Sequence, residues 1–354
     1  MSLGGRDAFL LVATEAVERG WLPDPAVRWG IRRLCTGRLR QEAAVINGSS
    51  DSAALARFID RMQAAEIAHL PEKANEQHYE VPADFFRLML GPQLKYSCCW
   101  WDDTVGSLAE AEDRSLCLTA NHAAIEDGMR ILELGCGWGS LALWLAQHYP
   151  RCSIVSVSNS AGQRAFIEAT ARERGLSNVS IVTADMNVFD TDRRFDRVVS
   201  VEMFEHMRNH SSLLSRIARW LEPDGRLFVH VFCHWRFAYE FETEGAANWM
   251  GRHFFSGGLM PSVDLLPSIP SPFAIEGLWR WSGTHYAQTA EAWLANLDAR
   301  RDEALHALNP VCAGGDAARW LLRWRIFLMA CAELFGYADG SEWGVAHYRF
   351  QLSR

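Results

Sequence analysis

The spacing of apolar residues changes twice along the chain. Up to about residue 75 it is helical. Residues 26–42 carry Arg and Leu with a 3.6 period, and residues 53–69 put Leu55, Phe58, Ile59 and Met62 on one face. Pro23 and Pro25 open the first of these segments, a polar loop at 47–52 separates the two, and Pro71 closes the second. Residues 76–105 read as a connector and 107–124 as another helix. From 129 the period alternates. Strands are predicted at 129–134, 152–158, 179–184, 195–201 and 226–231. Helices are predicted at 140–148, 162–174 and 213–221, with a turn at Pro223-Asp224-Gly225. That alternation predicts an α/β fold built on a parallel, doubly wound sheet. After 232 the pattern lapses until a strand at 276–282, helices at 289–308 and 316–335, and a last strand at 343–352.

The expected organisation is a helical N-terminal extension (1–75), a lid or connector (76–128), the doubly wound core (129–232) and a cap carrying the last strands of the sheet (233–354). A chain of 354 residues with 49% apolar content buries a sizeable core, which excludes global disorder. The formal charge of −8 and the lack of a Lys/Arg block exclude a general nucleic-acid binder. The nine cysteines are scattered, with no CxxC pair and no zinc spacing, so reduced thiols and no metal are expected. The apolar run at 8–13 is too short for a signal peptide and is flanked by Asp7 and Glu15, and nothing approaches the roughly 20 apolar residues of a membrane span. A cytoplasmic protein without stable membrane insertion is expected, and the helical N-terminal segment leaves room for a homodimer. Fifteen tryptophans are present, and Trp235, Trp249, Trp279, Trp281, Trp293, Trp320 and Trp324 crowd the C-terminal third. They fit core packing, an aromatic pocket for a flat or cationic ligand, or both.

The most specific local signal is Glu133-Leu134-Gly135-Cys136-Gly137-Trp138-Gly139-Ser140, directly after a predicted strand and opening a predicted helix. The glycines let the backbone turn tightly and approach a ligand, and the helix start offers free N–H groups. A dinucleotide fold would want GxGxxG, and Ser140 breaks that spacing. The ExGxGxG spacing instead resembles class I S-adenosylmethionine (SAM) methyltransferases. That resemblance implies that Gly135, Gly137 and Gly139 line the methionine part of SAM and that Glu133 supports its ammonium group. After the second strand, Asn159 stands without an acidic neighbour, and Gln163 can take the ribose hydroxyls in its place. After the third, Asp185 can accept from the adenine amine and Met186 can cover the ring.

The fourth strand runs into Glu202-Met203-Phe204-Glu205-His206. Ligands of open parallel sheets bind at the carboxyl ends of central strands. On a helical turn, Glu202, Glu205 and His206 share one face. A sulfonium methyl donor needs an acceptor with a free lone pair, and alkylamines are mostly protonated at neutral pH. A carboxylate binds the ammonium, and a carboxylate–histidine pair removes its proton. Aromatic walls hold an organic cation.

Several separated motifs agree with one family. They are His78-Tyr79-Glu80-Val81-Pro82, Lys95-Tyr96-Ser97-Cys98, the glycine turn, Glu202-Met203-Phe204-Glu205-His206-Met207, Phe254-Phe255-Ser256-Gly257-Gly258, His285-Tyr286-Ala287-Gln288-Thr289 and Ala332-Glu333-Leu334-Phe335-Gly336-Tyr337. By these the chain resembles the cyclopropane-fatty-acid synthase superfamily, and within it the coclaurine N-methyltransferases of alkaloid pathways. The resemblance implies a Rossmann-like SAM-binding core with a helical N-terminal extension and a helical, aromatic-rich cap. It implies that Tyr96 and Ser97 also touch SAM. It implies that Glu205 and His206 are the acid–base pair, that Glu202 engages the amine, and that Tyr79, Trp324 and Phe327 line the pocket. The expected partner is a small hydrophobic amine. Lipid-cyclopropanating or lipid-methylating members of the family use a bicarbonate base, held by residues matching Cys98, Glu205, His230 and Tyr286, all present here. Two residues depart from that pattern. Phe232 stands for a small aliphatic residue, and Glu202 stands where lipid enzymes typically carry glycine. A charge there suits an amine and is costly beside acyl chains. A SAM-binding sensor would not need the acid–base cluster.

Overall fold

The computed structural model describes residues 5–46, 50–68, 81–310, 312 and 316–353. Five helices precede the sheet: α1 (Gly5–Glu18), α2 (Asp24–Ile46), α3 (Asp51–Gln63), α4 (Ala83–Met89) and α5 (Leu108–His122). The strands β1 (Arg130–Leu134), β2 (Ser153–Ser158), β3 (Val179–Thr183), β4 (Phe195–Val201) and β5 (Leu221–His234) then alternate with α6 (Ser140–His148), α7 (Ala161–Glu173) and α8 (His210–Trp220). Short pieces follow, β6 (Tyr239–Glu240), α9 (Trp249–His253), β7 (Leu259–Met260) and α10 (Leu265–Ser268). The chain ends with β8 (Phe273–Ser282), α11 (Gly283–Ala299), α12 (Arg301–Leu308), α13 (Ala317–Phe335) and β9 (Trp343–Leu352).

Seven strands form one sheet in the order β3-β2-β1-β4-β5-β9-β8. β1 to β5 are parallel, and β9 inserts antiparallel between β5 and β8. Helices cover both faces, so β1 is buried from Ile131 to Leu134, which is why it reads as an unbroken apolar run. The strand order reverses between β1 and β4, and the crevice at their carboxyl ends is where such folds bind ligands.

Three sequence expectations are corrected. The helix predicted over 289–308 is two helices that meet at Arg300, whose backbone leaves helical geometry (φ −119°, ψ 36°) while its guanidinium caps the Leu88 carbonyl of α4 at 2.9 Å. The turn before the fifth strand lies inside β5. Leu221 already pairs with Phe195, and residues 222–225 fall between that pair and the next, Arg226 with Arg197. The second N-terminal helix stops at Gln63 rather than reaching 69, and Pro71 lies outside the described residues.

Ion pairs tie the N-terminal helices to the cap. Glu18 of α1 accepts from Arg319 and Arg323 of α13 at 2.7 and 2.9 Å, and Arg28 and Arg32 of α2 both reach Glu333 of α13. Among the described residues, no helix is long and apolar enough to cross a membrane.

Candidate active site

β1 ends in the glycine turn. Gly135, Gly137 and Gly139 all adopt left-handed φ values of +77°, +51° and +80°. At Gly139 a Cβ would meet Ile167 at 2.7 Å, so the turn can seat α6 against α7 only with glycine there. At Gly137 a Cβ would meet no atom of the described residues within 4 Å, and Gly137 lines two adjoining hollows. Glu133 lies beneath, buried, with Oε2 accepting from the Ser156 hydroxyl at 2.7 Å. Burial pushes its carboxyl up to about 7 against the lowering effect of that bond. A buried acid with one hydrogen bond is suited to meet a cation.

β2 leads to Ser160, whose hydroxyl caps α7 by accepting the Gln163 N–H, which fixes Gln163 in the first turn. The Ser158 hydroxyl donates to Gln163 Oε1 at 2.7 Å, and Gln163 Nε2, also buried, has no hydrogen-bond partner among the described residues. That orphaned donor borders a hollow shared with Asn159, Asp185, Met186, Gly135 and Gly137. A polyhydroxylated ribose would satisfy it. The hollow adjoins a larger cavity, with which it shares Gly135, Gly137 and Gln163, and which is lined also by Tyr96, Ser97, Glu133 and a set of aromatic residues. The residues expected to hold SAM border these two adjoining hollows, except Gly139, which faces Ile167 of α7 and shapes the turn instead. The open cradle at Gly137, the buried acid and the unmatched amide fit an adenosyl amino acid.

Glu202 ends β4 differently from the expectation. It sits at φ +47°, outside any helix, and only Phe204–His206 form a single 3-10 turn. Glu202, Glu205 and His206 do not share a helix face. Glu202 and His206 line the cavity, while Glu205 is wholly buried beside it. The Glu202 carboxylate is held from three directions. The Cys98 backbone N–H donates to Oε1 at 2.9 Å, His230 Nε2 lies 3.2 Å from the same oxygen, and the Tyr286 hydroxyl donates to Oε2 at 2.7 Å. Burial, and after it the Glu202 charge, pushes the Tyr286 hydroxyl well above its usual value, so it remains a donor. Glu205 Oε1 accepts the Phe232 N–H at 2.8 Å, and its Oε2 is buried without a hydrogen-bond partner among the described residues. Burial, followed by the nearby Glu202 charge, holds the Glu205 carboxyl well above the ordinary range.

The cap supplies the walls. Tyr286 and Trp293, two turns apart on α11, face the cavity, as do Phe327, Cys331 and Leu334 on α13. Phe232, Phe241, Phe255 and Phe335 complete an aromatic surface, and the His206 ring packs on Phe255 at 4.6 Å. Trp324, expected on this wall, does not line it. Its fully buried ring packs behind the wall against Phe85, Phe254 and Phe327. Cys98 and His230 likewise stay out of the cavity and act on it through Glu202, and Tyr79 lies outside the described residues. Of the tryptophans that fit an aromatic pocket, Trp293 lines it, and the contact of His206 with Phe255 adds to that wall. The seven-residue spacing of Trp293 from Tyr286 was the available signal.

The sequence matches the family model described as mycolic acid cyclopropane synthetase over residues 68–341. It is 34% identical to an (S)-coclaurine N-methyltransferase of Thalictrum flavum subsp. glaucum over 351 residues, covering 98% of this chain and 97% of the relative. It is 33% identical to the (S)-coclaurine N-methyltransferase of Papaver somniferum, covering 95% and 96%. A crystal structure of coclaurine N-methyltransferase bound to N-methylheliamine and SAH matches with a TM-score of 0.89 at 32% identity, covering 95% of this chain and 98% of that one. The chain belongs to the mycolic acid cyclopropane synthetase family and is a SAM-dependent methyltransferase of the coclaurine N-methyltransferase type.

Proposed function

We propose that the protein methylates the nitrogen of a small, hydrophobic, aromatic amine of the tetrahydroisoquinoline type. The observation that carries this reading is the seat of Glu202. Cys98, His230 and Tyr286, which in lipid enzymes of the family would hold a bicarbonate, here all serve the Glu202 carboxylate. The anion of this site is thus tethered to the chain. A fixed carboxylate among aromatic rings suits an ammonium ion and is costly beside an acyl chain. The relatives named as coclaurine N-methyltransferases and the structure holding N-methylheliamine support the same acceptor class.

Glu133, Asn159, Gln163, Asp185 and Met186, with Tyr96, Ser97 and the glycine turn, would hold SAM. SAM supplies a methyl group on a positively charged sulfur. Glu202 attracts and orients the substrate ammonium. His206, on the cavity wall, takes the proton that masks the nitrogen lone pair. Glu205, whose carboxyl burial and then the Glu202 charge hold well above the ordinary range, is the acid partner of His206. Phe232, Phe255, Tyr286 and Phe327 exclude water and cradle the cation.

Glu202→Gly tests the assignment. Glycine is at ease at φ +47°, so the variant should fold, but the three donors lose their acceptor. N-methylation is expected to fall roughly 100-fold or more and to return in part when formate or bicarbonate is added. Undiminished turnover in the variant would contradict the role of Glu202.

A further inference from the structure

Behind Glu202 the sheet carries a row of histidines. His230 on β5 and His347 on β9 are directly paired across the strands, and Trp279 on β8 pairs with His347 in turn. Residues paired in register share a face, so the two imidazoles meet. His230 Nδ1 and His347 Nε2 are 2.8 Å apart, and His347 Nδ1 lies 2.8 Å from Nδ1 of His122, at the C-terminal end of α5. With the 3.2 Å contact from His230 Nε2 to Glu202 Oε1, the chain of hydrogen bonds is unbroken from the cavity carboxylate through the sheet. His230 and His347 are fully buried, and Trp281 and Phe228 flank His347 at ring distances of 4.1 and 5.0 Å. His122 is only half-buried and stacks on Trp279 at 4.1 Å, so it is the ring of the three that solvent reaches.

Buried imidazoles in contact are costly unless each link holds one proton. Burial lowers the affinity of all three rings for a second proton, holding His122 at about 4 and His347 well below the histidine range. The charges of Lys95 near His230 and His347, and of Arg349 near His122, act in the same direction, and that of Glu202 opposes them at His230. A neutral imidazole donates from one nitrogen and accepts at the other. With Glu202 as a carboxylate the direction of every link follows. His230 donates from Nε2, His347 from Nε2 and His122 from Nδ1.

We propose that His230, His347 and His122 form a proton-exchange path joining Glu202 to solvent behind the sheet, away from the substrate cavity. A proton arriving on His122 Nε2 releases the Nδ1 proton of His122 to His347 Nδ1. The Nε2 proton of His347 passes to His230 Nδ1, and that of His230 to Glu202 Oε1. One proton enters, Glu202 gains one, and all three rings stay neutral with reversed tautomers. The reverse sequence discharges Glu202 and restores the starting tautomers. Any proton that Glu202 takes up during turnover leaves by that reverse sequence, so the carboxylate and the starting tautomers are restored between turnovers. This rests on reading Glu202 as the carboxylate that meets the amine. His347 and His122 are positioning residues that act through His230.

Two measurements test the path. In ¹⁵N-histidine NMR of the SAH-bound protein at pH 7, His230 and His347 should be Nε2–H tautomers and His122 an Nδ1–H tautomer. A different tautomer or a cationic ring at any of the three would overturn the proposal, whatever the acceptor. In steady-state kinetics at low buffer concentration, His122→Ala should lower kcat about tenfold with KM for SAM unchanged, and added imidazole should restore it. His347→Phe should lose as much and not be rescued, because its gap lies inside the sheet. An unchanged kcat in His122→Ala, or a loss that imidazole does not restore, would also overturn it. If the wild type methylates no amine while the tautomers are as stated, the functional reading fails and the path stands.

Discussion

Glu202 holds a backbone conformation that few non-glycine residues adopt, at φ +47°, and three donors converge on its carboxylate. Strain of this kind persists where surrounding contacts fix it, and it concentrates at functional sites. Gly137 is the complementary case. Its φ of +51° and the space left at its Cβ position by the described residues make it a place where a side chain would displace ligand rather than those residues. Gly137→Val should abolish SAH binding in calorimetry while the folded far-UV spectrum persists. Binding within threefold of wild type would remove the turn from the cofactor site. The chemistry at this scale was legible from residue types at strand ends. The backbone twist at Glu202 was not, because i, i+3, i+4 spacing implies a shared helix face only where a helix forms. Trp324 was misjudged for a related reason, since composition identifies aromatic residues without saying which stand in front of the wall and which behind it.

The segment before Tyr96 and Ser97 is held by one carboxylate of α5. Glu112, wholly buried, accepts the backbone N–H groups of Gly91, Gln93 and Lys95 at 3.0, 2.8 and 3.2 Å. Lys95 Nζ in turn donates to Ser97 Oγ and to the Cys98 carbonyl, both at 2.6 Å. Glu112→Gln sets an amide N–H₂ against backbone donors and should cost about 1–3 kcal/mol in thermal unfolding. KM for SAM should rise severalfold with kcat little changed, and an unaltered KM would show that this segment does not bear on the cofactor. The core strands were legible as apolar runs because helices bury both faces of the sheet. The break at Arg300 was not, because it arises from a tertiary contact with α4 rather than from a helix-breaking residue.

Across the whole molecule, Glu112 and Glu133 join Glu205 as buried carboxyls held above the ordinary range. Burial raises Glu112 and Glu133 from 4.5 to about 7. Each binds its proton more tightly folded than unfolded, so their contribution to stability falls as pH rises from about 4.5 to about 7 and is level above. Ligand-free protein should therefore melt at lower temperature at pH 7.5 than at pH 5.5, and Glu112→Gln should reduce that dependence. If the ammonium of the cofactor meets Glu133, SAH should bind about tenfold tighter at pH 8 than at pH 6, because the carboxyl must ionise to pair with it. Equal affinities at the two pH values would separate Glu133 from the ammonium.

The most direct measurement of the central claim follows the transferred carbon itself. Protein supplied with SAM carrying a ¹³C methyl group, a tetrahydroisoquinoline-type amine and unsaturated phospholipid vesicles should yield a ¹³C signal at the shift of an N–CH₃ group. Label appearing instead in cyclopropane methylene or in a C-methyl group of the lipid, with the amine unchanged, would contradict it.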